Sequence, residues 1–148
     1  MLLLFLVPVS CGKQIDCDCQ GGEYFIFGHF YGECVGEGCV ETFKIQGDRL
    51  LEDTEDRYSG AGPFDWKALS DEKYQLVKDL PAALPGELLA SPDQTFGCPD
   101  CADGGGLYIE VFQDGKKHRW WIDNIKAAQP AYMQDFTDQV HAAIQQLQ

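Results

Sequence analysis

Apolar and polar positions along this chain follow two periods, and each period predicts an element. Residues 23–31, EYFIFGHFY, are aromatic and β-branched on both alternating faces, the pattern of a strand buried on both sides. VETFKI and RLLEDT flank Gly47-Asp48, which predicts a tight hairpin with Ile45 opposite Leu50 and Lys44 opposite Leu51. Residues 107–123, LYIEVFQDGKKHRWWID, alternate on either side of Asp114-Gly115, a second hairpin. A two-residue turn there sets Glu110 across from Arg119, Ile109 across from Trp120, Tyr108 across from Trp121 and Leu107 across from Ile122. One face then carries Leu107, Ile109, Val111, Trp120 and Ile122 and is expected to be core. The other carries Tyr108, Glu110, Phe112, Lys117, Arg119 and Trp121, a mixed aromatic and charged surface that is either covered or free to bind.

Between and after the hairpins the period lengthens to that of a helix. In LSDEKYQLVKDLP (69–81), Ser70 is a good N-cap, Asp71 and Glu72 suit the positive helix end, and Leu69 can staple onto Tyr74. Pro81 stops the ladder, and PAALPGELLASPDQ reads as a connector punctuated by proline. At the C-terminus Met133, Phe136, Val140, Ala143 and Leu147 repeat on one stripe with Ile144 alongside, a helix that should lie on the sheet and start near Pro130. The fold class expected is α+β: an antiparallel sheet of about five strands in two hairpins, with two helices packed on it, in the order β-ββ-α-ββ-α.

The first ten residues, MLLLFLVPVS, are uncharged and nearly all apolar, too short to span a bilayer but of the length of a signal-peptide apolar segment. They run into VPVSC, with small Ser10 before Cys11 and a polar stretch after it. This stretch resembles the lipobox of bacterial lipoproteins, and the resemblance implies export and a lipid anchor on Cys11. The expected division is a signal peptide over 1–10, a lipidated tether over 11–22 and a single α+β domain over 23–148. That domain is similar only to small exported lipoprotein domains with no assigned activity, which transfers no function.

Charge narrows the partners. Twenty-four acidic side chains against eleven basic ones give a formal net charge of −13. Such a surface repels phosphate backbones and anionic headgroups, so nucleic acid is not an expected partner and membrane contact is expected only through the lipid. The acidic group Asp48, Glu52, Asp53, Glu55 and Asp56 reads as a solvated strand edge. His29 falls in the aromatic strand and is expected in the core, His118 at the edge of the core face, and His141 on the surface.

Seven cysteines are present, and an odd count is awkward in an exported protein. Assigning Cys11 to lipid leaves six, and an oxidising compartment favours disulfides. Cys34 and Cys39 bracket a glycine-bearing loop, CVGEGC, and Cys98 and Cys101 bracket CPDC. Each pair can close on itself, or the four can act together. CPDC resembles the active-site tetrapeptide of glutaredoxins and thioredoxins, which implies a thiol–disulfide oxidoreductase. Yet ADGGG follows it, and three glycines cannot open a helix. CPDCADGG also resembles the metal knuckle of rubredoxin-like and zinc-ribbon proteins. That likeness implies a structural zinc held by Cys34, Cys39, Cys98 and Cys101, and zinc is the one cofactor that the residues suggest. No serine sits in a nucleophile elbow, so no catalytic residue is assigned. The function expected is a lipid-anchored, non-catalytic domain, periplasmic or at the cell surface, binding a protein, peptide or glycan through Tyr108, Phe112, Trp121 and Arg119. The alternatives are the zinc domain and, after it, the oxidoreductase.

Overall fold

The computed structural model describes residues 22–58, 62–91 and 93–148. Seven strands form one mixed sheet in the order β4-β3-β2-β1-β6-β7-β5. They are β1 (Tyr24–Phe30), β2 (Val40–Gln46), β3 (Arg49–Asp53), β4 (Trp66–Ala68), β5 (Gln94–Phe96), β6 (Gly106–Gln113) and β7 (Lys116–Asp123). The helices are α1 (Asp71–Val77), the single turn α2 (Gly86–Leu89) and α3 (Gln134–Leu147).

The class is α+β, and the five expected strands all form, with both hairpins in the expected register. Asp114 and Gly115 both take positive φ, 52° and 72°, the pair of conformations that a two-residue turn of matching twist requires. The sheet is larger than expected and not wholly antiparallel. Edge strands β4 and β5 add to it, and β5 runs parallel to β7. A third helix, α2, forms inside the proline-punctuated connector.

β1 lies in the middle, antiparallel to both β2 and β6, and residues 25–30 are all buried. Phe25, Phe27, Phe43, Ile45, Leu50, Leu107, Ile109, Val111, Trp120 and Ile122 face the helices and form the main core. On α3, Phe136, Val140, Ala143, Ile144 and Leu147 close over them, as the stripe predicts. Each large apolar side chain so buried stabilises the fold by roughly 1.5–3 kcal/mol. The Trp120 indole N–H donates to the Ser91 carbonyl at 2.7 Å, so the largest core side chain leaves no polar atom unmet.

Helix ends follow their local signals. Ser70 Oγ accepts from the Lys73 N–H at 3.4 Å, and Lys73 Nζ reaches on to the Leu147 carbonyl at the end of α3. α1 stops at Val77, and a 3-10 turn at Leu80–Ala83 carries Pro81. α3 begins later than expected, at Gln134, because Ala131–Met133 after Pro130 is a 3-10 turn.

Two further expectations are corrected. β3 is not an edge, since β4 pairs outside it. Asp53 is therefore buried, 2% exposed, with its Oδ1 accepting the Asp65 N–H at 2.6 Å. His141 is half-buried rather than a surface group, and burial together with nearby His29 holds its pKa below the ordinary value.

Candidate functional site

All three helices contribute to the core on one face of the sheet, which leaves the opposite, outer face to the strands and one loop. Registers place its side chains in rows. One row runs Leu51, Lys44, Ile26, Glu110 and Arg119 from β3 to β7, and the next runs Arg49, Gln46, Tyr24, Phe112 and Lys117. Ile26, Phe30, Val40 and Tyr108 form a small second core here, with Tyr24, Phe64, Trp66 and Trp121 packed against it.

Glu110 is the centre of this face, 4% exposed. Its Oε1 accepts from the Tyr24 hydroxyl at 2.7 Å and lies 3.1 Å from Lys117 Nζ, while its Oε2 accepts from the Tyr108 hydroxyl at 2.6 Å. A carboxylate taken from water needs such donors. Burial and the adjacent carboxylate push both tyrosine hydroxyls above their ordinary pKa. For Lys117, burial pulls the other way and Glu110 more than offsets it, so its ammonium is held above the usual lysine range. Lys44 is also buried, its ammonium 4.8 Å from the Trp66 ring centre, a cation–π distance. Tyr24 stacks on Phe112 at 5.5 Å, while Phe64 lies tilted against Trp66 at 4.7 Å and Tyr108 tilted against Trp121 at 5.4 Å. Around the sheet end near Gln46 an open groove of ≈ 980 Å³ is lined by Tyr24, Lys44 and Trp66 from this face and by Phe25, Ile45 and Leu84 from the helix side.

The four residues expected on a binding face are thus together on the outer side, but not in one role. Tyr108 is 1% exposed and supports the Glu110 network from beneath, whereas Phe112, Arg119 and Trp121 are half-buried and reach the surface. Arg119 Nε is 4.0 Å from Asp93 Oδ1.

The cysteines close locally. Cys34 is joined to Cys39 and Cys98 to Cys101, with Cα separations of 5.6 and 5.4 Å. The four are therefore two separate staples rather than one set of thiolates. Among the described residues no group of three or more His, Cys, Asp and Glu side chains is gathered as a metal ion requires. Cys11, Cys17 and Cys19 lie outside the described residues. At CPDC no α-helix opens: Cys101–Asp103 is a 3-10 turn with Ala102 left-handed. The helix dipole and cationic neighbours that stabilise a thiolate are absent from residues 98–103, which instead carry Asp100 and Asp103.

The motif's surroundings form a second feature, which hydrophobic periodicity does not reveal. Four loops meet at one end of the sheet: 31–39 after β1, 54–58 with 62–65 between β3 and β4, 97–105 after β5 and 124–130 after β7. Asp100 ties three of them together. Its Oδ2 accepts from the Gly32 N–H at 2.9 Å and the Tyr58 hydroxyl at 2.6 Å, and its Oδ1 from the Gly105 N–H at 3.0 Å. These donors hold its carboxyl below the usual aspartate range. Asp123 adds the fourth loop, accepting the Cys98 N–H at 2.9 Å on one oxygen and the Ile125 N–H at 2.8 Å on the other. Only the paired cysteines in the sequence hinted that this end is braced.

No protein-family model matches the chain, and no curated protein is significantly similar to it. Among the described residues no helix is long and apolar enough to cross a membrane.

Proposed function

We propose that this is an exported, lipid-anchored, non-catalytic binding domain that meets a protein, peptide or glycan with the outer face of its sheet. The export reading rests on the VPVSC lipobox resemblance and is supported by the two disulfides, which suit an oxidising compartment. Lipidation of Cys11 would hold the domain at a membrane surface.

The observation that carries the binding reading is one-sided coverage. The helices cover one face, while the other holds Phe112, Arg119 and Trp121 half-exposed above a Glu110 network whose hydrogen bonds fix their strands. Aromatic and arginine side chains on a preorganised surface are the groups that dominate binding energy.

The test is selection of ligands from a peptide-display library and a glycan array on the full-length protein, followed by Trp121→Ala. Loss of about thirtyfold in affinity, the effect of removing one hot-spot side chain, with the melting curve kept, is the expected result. Unchanged affinity, or unfolding of the variant, would remove the outer face as the binding surface.

A further inference from the structure

The outer face sorts its charges by depth. Alternate strand positions place three carboxylates on it, Asp53, Glu110 and Asp123, and these are 2%, 4% and 4% exposed. Each is already supplied with donors: Asp53 by the Asp65 N–H, Glu110 by two tyrosine hydroxyls and Lys117, and Asp123 by the Cys98 and Ile125 N–H groups. The same strands bring four cations to this face. Lys44 is buried, but Arg49 and Lys117 are exposed and Arg119 keeps 43% of its side chain in water. In a chain of net charge −13, the exposed charges on the strands of this face are all positive. We infer that the face docks an acidic polypeptide segment whose carboxylates flank apolar side chains. The inference rests on the outer-face reading and gives its partner a chemistry.

The patch is continuous. Lys44 Nζ lies 4.8 Å from the Trp66 ring centre and 6.0 Å from that of Tyr24, Tyr24 stacks on Phe112, and Tyr24 and Lys117 meet at Glu110. One row crosses it as Arg49, Gln46, Tyr24, Phe112 and Lys117, with a cation at each end and the stacked rings between. Its ends are four inter-strand steps apart, roughly 19 Å, a span that an extended chain covers in about six residues. Lysine and arginine only donate and ionised carboxylates only accept, so a carboxylate at each end of the row meets its complement while an apolar side chain between them meets the rings. A neutral saccharide, whose hydroxyls must also donate, finds the carboxylates of this face buried and taken. Acidic side chains return at the rim, where Asp93 lies 4.0 Å from Arg119 and Glu23 and Asp48 flank the groove. They confine an anionic partner to the middle of the face, and the charge of the whole molecule turns away long polyanions such as nucleic acid.

The probe is a labelled peptide of roughly twelve residues, twice that span, with two glutamates about six residues apart, leucines between them and glycine spacers. Its counterpart has lysine for each glutamate. Fluorescence anisotropy is read on the full-length protein at about 0.15 M salt, where charges more than roughly 8 Å apart are screened. The acidic peptide is expected to bind and the lysine peptide not. Arg49→Gln and Arg119→Gln, with melting curves kept, should each weaken binding about tenfold, the effect of losing one charge-assisted contact. Trp121→Ala should weaken it as well. Equal binding of the two peptides, or undiminished affinity in either arginine variant, would overturn the inference. Binding of a uronate oligosaccharide in place of the acidic peptide would overturn it in favour of a glycan. Ligands that are lost in Trp121→Ala but carry no acidic group would overturn it too, while leaving the outer-face reading intact.

Discussion

Replacing Glu41 by glutamine should stabilise this protein, with a gain that is absent in acid and grows as the pH rises towards neutral. Glu41 sits opposite His29 across β1 and β2, half-buried, with Asp56 and Glu52 adding negative charge nearby. Burial first, and those two carboxylates second, push its pKa up from 4.5 to about 7. A raised carboxyl pKa means that the native state keeps a proton which the unfolded chain has released. The native state therefore has full stability below pH 4.5 and loses it as pH rises through 7. At about 1.36 kcal/mol for each pKa unit, the shift corresponds to roughly 3 kcal/mol, and partial solvent access reduces this to about 1–2 kcal/mol. Glutamine is isosteric, carries no charge and can keep a hydrogen bond with the neighbouring Gln148 side chain. Urea unfolding followed by tryptophan fluorescence, for both proteins between pH 4 and pH 8, reads the effect directly. The variant should match the parent at pH 4 and gain steadily between pH 4.5 and 7. His29 and His141 titrate in both proteins, and to first order they cancel in the difference. A difference that stays flat with pH, or a variant less stable at pH 8, would refute the assigned burial of this carboxylate.

Two other perturbations probe the sheet and the loop end. Gly28→Ala would place a Cβ 2.2 Å from the Glu41 carbonyl and 2.9 Å from the Thr42 Cα, backbone atoms that cannot step aside; a loss of about 3 kcal/mol or more in chemical denaturation is expected. Asp100→Ala should leave global stability nearly unchanged but speed amide exchange at Gly32 and Gly105, both of whose N–H groups it accepts, and unaltered protection there would show that the loops are held by other means.

The parts of the fold that the sequence discloses are those whose signals are local. The Asp114-Gly115 and Gly47-Asp48 turns set register within a few residues, so the cross-strand pairs are legible in the sequence itself. The α3 stripe spans nearly four turns, long enough for its period to be unmistakable. β4 and β5 are three residues each, too short to show any period, and both lie in stretches rich in glycine, proline and polar groups. The burial of Asp53 is hidden from the sequence for the same reason, since it depends on the short strand paired beside it. On the outer face, Phe112, Arg119 and Trp121 could be grouped from the hairpin alone. Tyr24, Lys44 and Trp66 join them only through pairings of β1 with β2 and β6 and of β3 with β4, contacts that span many residues. Asp100 gave no sign of its role, because its partners Gly32 and Tyr58 lie 68 and 42 residues away.

The central place of β1 has a consequence for how the chain is made. As it is synthesised from the N-terminus, β1 can pair with β2 as soon as residue 46 has emerged, but its other side waits for β6, whose partner residues run from Gly106 to Phe112. During that interval β1 to β4 form a half-sheet ending in an open strand that presents Phe25, Phe27 and Phe30 beside unpaired backbone groups. α3, which covers the same core, comes later still. An apolar edge of this kind is the template on which chains join to one another. Aggregation of this protein should therefore be governed by the age of the nascent chain, with truncations that end before Gly106 the most prone to it and the completed sheet the least.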